Sequence, residues 1–137
     1  MDTKTSKRTS VLLVEDSPAI RVRLASMLEN IAGVTIVGEA ETAASAVEGI
    51  LRMRPDSVLL DVQLLKGTVL DVLREVHPLE PDTVFIVLTN QPDARYRKLC
   101  IDAGADHFLD KSNEFEKAVE LIANLAAGHS PHHTVSR

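Results

Sequence analysis

Five short runs rich in apolar residues, each followed by a helical pattern, constrain the fold of this chain more than any other feature. The runs lie at residues 10–14, 34–40, 58–60, 83–88 and 107–109. Apolar runs of this kind are typical of strands that are buried on both faces. The segments between and after them carry apolar residues at the spacing of a helix face. Alternating strands and helices predict an α/β fold with a five-stranded parallel sheet, doubly wound, with helices on both faces.

Capping residues and helix breakers predict the ends of the helices. Ser17 and Thr42 are favourable N-caps for the first two helices, and Pro18 suits the first helical position. Asn113 with Glu116 resembles a capping box at the start of the last helix. The remaining boundaries are predicted at Gly33, Pro55 and Gly104, which end helices, and at Pro92, which opens the fourth.

Length and composition are those of one globular domain. The 137 residues are 45% hydrophobic and 26% charged, and the net charge of −5 is opposite to that of a nucleic-acid-binding surface. No run approaches the ~18 apolar residues that cross a bilayer, and the single Cys100 can form no intramolecular disulfide. We expect a soluble cytoplasmic protein that binds neither nucleic acid nor membrane. Its domain is expected at residues 10–127, with flexible tails at residues 1–9 and 128–137.

Polar residues stand where the predicted strands end. Glu15 and Asp16 follow the first strand, Asp61 the third, Thr89 the fourth and Lys111 the fifth. Ligands of open α/β sheets bind beyond the carboxyl ends of the strands, so we expect these side chains to share one crevice. Three close carboxylates repel one another unless a cation joins them, and Mg²⁺ prefers such oxygen ligands. The lysine and the threonine hydroxyl suit a phosphoryl group.

Four motifs carry a family resemblance. They are Val-Glu-Asp-Ser at residues 14–17, Leu-Asp-Val-Gln at residues 60–63, Val-Leu-Thr at residues 87–89 and Gly-Ala-Asp-His-Phe-Leu-Asp-Lys at residues 104–111. Each is weak alone, but in this order and at strand ends they resemble the receiver domain of two-component response regulators. The resemblance covers about residues 10–127. It implies a flavodoxin-like (βα)5 receiver fold and a single-domain protein similar to chemotaxis regulators.

The resemblance also implies roles for individual residues. Asp61 resembles the phosphoacceptor, whose carboxylate takes a phosphoryl group from a phosphohistidine. Asp16 and Asp61 resemble direct Mg²⁺ ligands, with the backbone carbonyl of Gln63 as a third and Glu15 acting through a metal-bound water. Lys111 resembles the cation that neutralises charge on the phosphoryl group.

The implied switch couples phosphorylation to a protein-binding surface. Thr89 resembles the hydroxyl that turns toward the phosphoryl oxygens, and Phe108 the aromatic that then rotates inward. The surface that responds would be formed by helix four, strand five and helix five. The implied partners are a sensor histidine kinase or histidine phosphotransfer protein and a downstream protein. The chain would be a signalling switch with autocatalytic dephosphorylation rather than an enzyme.

Some positions depart from the family pattern, and other functions compete with this one. Leu65, Val69, Asn90 and Ser112 stand where proline, glycine, a small residue and proline are usual, but no reacting group is lost. A phosphatase with an aspartate nucleophile usually has a second aspartate where this chain has Gln63. An unphosphorylated scaffold is disfavoured because all five key groups are present. The alternative that stays open is the receiver portion of a DNA-binding transcriptional regulator.

Overall fold

The computed structural model describes residues 8–61, 67–90, 93–111 and 114–128. Within them, strands and helices alternate along the whole chain, as the apolar runs predict. The elements are β1 (Thr9–Val14), α1 (Pro18–Glu29), β2 (Val34–Ala40), α2 (Ala43–Met53), β3 (Ser57–Asp61), α3 (Val69–Val76), β4 (Val84–Thr89), α4 (Ala94–Ala103), β5 (His107–Asp110) and α5 (Phe115–Ala126).

The strands form one parallel sheet in the order β2-β1-β3-β4-β5. Successive side chains of a strand point to opposite faces, so each central strand contributes to two cores. Leu12 and Val14 of β1 pack with α2, α3 and α4, whereas Val11 and Leu13 pack with α1 and α5. Helices therefore cover both faces, and this strand order is that of flavodoxin-like folds. The predicted fold class is confirmed.

The first two helices begin at the predicted caps. The Ser17 hydroxyl accepts a hydrogen bond from the Ile20 N–H at 3.4 Å. The Thr42 hydroxyl accepts one from the Ser45 N–H at 3.0 Å, and the Ser45 hydroxyl accepts one from the Thr42 N–H in return. Each cap satisfies a helix N–H that has no partner inside the helix. The chain therefore turns into α1 directly after the polar residues that follow β1.

Two predicted helix boundaries are displaced. α1 ends at Glu29 rather than at Gly33. Gly33 adopts a φ of 87° in the turn before β2, where its carbonyl accepts the Thr9 N–H at 2.7 Å and starts the pairing of β1 with β2. α4 begins at Ala94, after Asp93 as N-cap, so Pro92 does not open it. Pro92 itself lies outside the described residues.

The predicted capping box of α5 is wrong in its N-cap. α5 begins at Phe115, with Glu114 rather than Asn113 as N-cap, and Glu114 makes no side-chain cap hydrogen bond. Its carboxylate instead accepts the Asp110 N–H at 2.8 Å and so holds the end of β5. Asn113 lies outside the described residues.

Not every apolar residue on the helical stripes is buried. Leu51 and Leu99 fit the core-facing patterns of α2 and α4, yet they are 36% and 46% exposed. Their neighbours Ile50 and Cys100 take the core positions. Adjacent helix residues are about 100° apart, and in these two pairs only one member faces the core. Among the described residues, no helix is long and apolar enough to cross a membrane.

Candidate metal and phosphoryl site

Three carboxylates meet at the carboxyl edge of the sheet. Asp61 is the last residue of β3, and Glu15 and Asp16 directly follow β1. β1 and β3 are parallel neighbours with Val14 opposite Leu60, so the two strands end side by side. One carboxylate oxygen from each of the three acids lies within 4.8 Å of the others. Glu15 and Asp61 are almost fully buried.

Lys111 follows β5 and points into this cluster. Its Nζ lies 3.0 Å from Glu15 Oε1 and 3.1 Å from Asp61 Oδ2. Both contacts are ion pairs between buried side chains. The backbone N–H of Lys111 donates to the Thr89 carbonyl at 2.7 Å, which ties the ends of β4 and β5 together. Lys111 and Thr89 are both buried.

The protonation of the cluster follows from its burial and its charges. Burial raises the pKa of Glu15 to about 7, and the neighbouring Asp61 adds to this, while the contact with Lys111 acts in the opposite direction. For Lys111, burial alone would lower the pKa, but the contacts with Glu15 and Asp61 outweigh it and raise the pKa. Lys111 is therefore a stable cation, and Glu15 takes up a proton more readily than an ordinary glutamate.

The donor set fits a hard divalent cation. All three candidate ligands are carboxylate oxygens, and one lysine charge does not balance three carboxylates. Mg²⁺ takes oxygen ligands, binds through one or two carboxylates and keeps several waters. Asp16 is only partly buried, which leaves the cluster open to solvent on that side.

The comparisons with known proteins decide the family. The family model for the response regulator receiver domain matches residues 11–123. The chain belongs to this family. A Pseudomonas aeruginosa protein named as a candidate transcriptional regulator is 34% identical over 121 residues, which are 88% of this chain and 58% of that protein. Protein CcdB of Bacillus subtilis is 30% identical over 88% of this chain and 99% of its own length.

A solved structure supports the fold of this receiver. The response regulator domain of Thermotoga maritima CheB superposes with a TM-score of 0.75 at 20% identity, covering 88% of this chain and 95% of that one. This chain spans little more than half of the length of several curated relatives, for example 55% of the response regulator GacA of Pseudomonas aeruginosa.

The predicted switch aromatic of the receiver already lies in the core. Phe108 on β5 is 8% exposed, and its ring contacts the ring of Tyr96 on α4 edge to face, with centroids 6.3 Å apart. Tyr96 is half-buried, and burial raises the pKa of its hydroxyl to about 12, with Cys100 close by. Phe108 is thus buried in this structure and links β5 to α4.

Other predicted positions are not described, and one contact was missed. Gln63, Leu65 and Ser112 lie outside the described residues. Sequence reasoning did not single out Arg21, whose Nη1 donates to the Glu15 backbone carbonyl at 2.7 Å. The available signal was its place on the first turns of the helix that begins beside the acidic pair.

Proposed function

We propose that Asp61 accepts a phosphoryl group from the phosphohistidine of a sensor histidine kinase or histidine phosphotransfer protein, with Mg²⁺ as cofactor. The observation that carries the proposal is the contact of Lys111 Nζ with Asp61 Oδ2 at 3.1 Å, inside a cluster of three carboxylates. A buried aspartate beside a lysine and a metal-type donor set is what phosphoryl transfer to a carboxylate requires.

The transfer is a displacement at phosphorus. An Asp61 oxygen forms the new P–O bond, the P–N bond to the donor histidine breaks, and the imidazole leaves with the electron pair and takes up a proton. Lys111 and the Thr89 hydroxyl stabilise the phosphoryl oxygens. Bound Mg²⁺ would neutralise charge on the transferring group. Asp16 and Asp61 would hold it directly, with the Gln63 carbonyl, and Glu15 through a water.

The direct test of the acceptor is phosphorylation in vitro. The protein is incubated with acetyl phosphate and Mg²⁺ and its intact mass is measured. Wild type should gain the mass of one phosphoryl group. After EDTA is added to stop the reaction, this group should be lost only slowly. Asp61→Ala should gain none, and Asp102→Asn, an exposed aspartate on α4, should behave as wild type. Equal labelling of Asp61→Ala would contradict the assignment.

The metal is tested separately from the acceptor. Asp16→Ala should abolish Mg²⁺ binding, because it removes a direct ligand from a site with few protein ligands. In EDTA the same variant should be at least as stable as wild type, since it relieves repulsion among the carboxylates. A lower melting temperature in EDTA would count against a repulsive cluster.

We place the output at the face formed by α4, β5 and α5. The Lys111 N–H and the Thr89 carbonyl join the site to the ends of β4 and β5, and Phe108 connects β5 to Tyr96 of α4. A phosphoryl group that engages Thr89 and Lys111 would alter the packing of this ring pair and displace α4. A partner needs only a few kcal/mol of preference to read such a change.

The output is tested with beryllofluoride, a stable mimic of the acyl phosphate. Amide NMR shifts should change along α4, β5 and α5, including Tyr96 and Phe108, while the core of the sheet stays unchanged. Changes confined to α1 and α2 would place the partner surface elsewhere.

A second reading is the receiver portion of a DNA-binding regulator. It is favoured by the Pseudomonas aeruginosa relative, of which this chain spans 58%. The sequence of the full-length gene discriminates between the two readings, because a DNA-binding domain would be encoded beside the receiver.

A further inference from the structure

Arg21 joins three segments at the edge of the candidate site. Its Nη1 donates to the Glu15 backbone carbonyl at 2.7 Å, its Nε to Glu39 Oε1 at 2.9 Å, and its Nη2 lies 3.0 Å from Glu41 Oε2. The arginine side chain is 16% exposed, so the guanidinium is largely packed rather than solvated. A planar guanidinium holds its donors in fixed directions, which a lysine ammonium does not.

The contact with Glu15 fixes a particular peptide group. The Glu15 N–H donates to the Ala40 carbonyl at 2.9 Å, and the Glu15 carbonyl accepts from Arg21, so the residue is held on both sides. That carbonyl belongs to the peptide between Glu15 and Asp16. Its orientation therefore sets the direction in which Asp16 leaves the strand and reaches the other carboxylates.

A positioning role and an electrostatic role of Arg21 predict opposite changes in Mg²⁺ binding. Glu39 and Glu41 together carry more charge than the arginine they contact. If Arg21 acted mainly as a cation near the metal site, removing its charge would strengthen Mg²⁺ binding. If it acts by holding the Glu15–Asp16 peptide, disturbing its geometry at constant charge would weaken Mg²⁺ binding.

We propose that Arg21 is a positioning residue that holds the Glu15–Asp16 peptide so that Asp16 joins the Mg²⁺ site. The role rests on the proposed function, which assigns Mg²⁺ to these carboxylates. Residues that orient metal ligands through hydrogen bonds are part of a metal site although they do not touch the ion.

The test is a Mg²⁺ titration of the whole chain, followed by amide NMR. Arg21→Lys keeps the charge but loses the planar guanidinium that donates in several fixed directions. The variant protein should bind Mg²⁺ about 10-fold more weakly, which is the lower end of the loss expected when a residue that orients a metal ligand is removed. The Asp16 amide signal should move in this variant even without Mg²⁺. Arg54→Lys is the matched control, because Arg54 pairs with Glu80 at 3.1 Å, away from the acidic cluster, and should bind as wild type.

The outcomes distinguish failure of the positioning role from failure of the proposed function. Equal or tighter Mg²⁺ binding by Arg21→Lys overturns the positioning role and leaves the proposed function intact, whereas absence of Mg²⁺ binding in wild type overturns both. If Arg21→Lys does not fold, the double variant E39Q/E41Q frees the far end of Arg21. It should bind Mg²⁺ more weakly even at ~1 M salt, where the screening length is ~3 Å. Unchanged binding there overturns the positioning role.

Discussion

Replacing Lys111 with methionine should destabilise the metal-free protein by about 3–5 kcal/mol, the usual result of removing one partner of a buried charge pair. The range for buried pairs applies here because Lys111 is 8% exposed and its partners Glu15 and Asp61 are 2% and 5% exposed. The Nζ lies 3.0 Å and 3.1 Å from their oxygens, so methionine would leave both carboxylates without their cation.

The loss should depend on pH and on Mg²⁺. Burial and the nearby Asp61 already raise the pKa of Glu15 to about 7, and the contact with Lys111 opposes them. Without the lysine this pKa rises further, so Glu15 takes up a proton more readily. The deficit of Lys111→Met should therefore be smaller at pH ~6 than at pH ~8. Saturating Mg²⁺ should stabilise the variant more than wild type, because it supplies the missing positive charge.

Thermal unfolding in EDTA measures this effect. At about 4 °C per kcal/mol for a domain of this size, the melting temperature at pH ~8 should fall by ~12–20 °C. Lys98→Met is the control, since the Lys98–Asp102 pair is short, at 2.8 Å, but exposed, and exposed pairs contribute little. If Lys111→Met melts within a few degrees of wild type in EDTA at pH ~8, Lys111 does not compensate buried charge.

Two further predictions concern Glu15 and Gly104. Because the pKa of Glu15 is raised from 4.5 to about 7, its stabilising contribution is complete below the lower value and is lost as the pH rises through the upper one. In EDTA, wild type should therefore lose more stability than Glu15→Gln between pH ~5 and ~8, and parallel pH curves would refute this. Gly104 has a φ of 122°, and an added Cβ would lie 2.4 Å from His77 Cγ. Gly104→Ala should lower the free energy of unfolding, measured in denaturant, by more than ~1 kcal/mol. The loss should exceed that of the control Gly128→Ala, where φ is 95° but an added Cβ has no neighbour within 4 Å. Equal losses would show that the contact with His77 does not matter.

The sheet and the meeting of the strand-end residues could be predicted because both follow from local patterns and chain order. Apolar runs buried on two faces, separated by helical stripes, leave a parallel sheet as the arrangement that covers them. Parallel strands bring their carboxyl ends to one edge, so Asp16, which follows β1, comes close to Asp61, which ends β3. The end of α1 could not be predicted from Gly33, because that residue lies in the turn before β2 and its carbonyl takes part in the pairing of β1 with β2.

By itself, the sequence determined the fold class and the set of acidic and basic residues that gather at the end of the sheet. Only the tertiary structure decided the pKa of Glu15, which depends on its burial and on Asp61. It also decided that Arg21 donates a hydrogen bond to the peptide carbonyl that precedes Asp16. It decided, too, that Leu99 faces solvent while its neighbour Cys100 faces the core. The physical reason is that the partners and the local dielectric of a side chain are set by the elements that pack around it, and these lie far away along the chain.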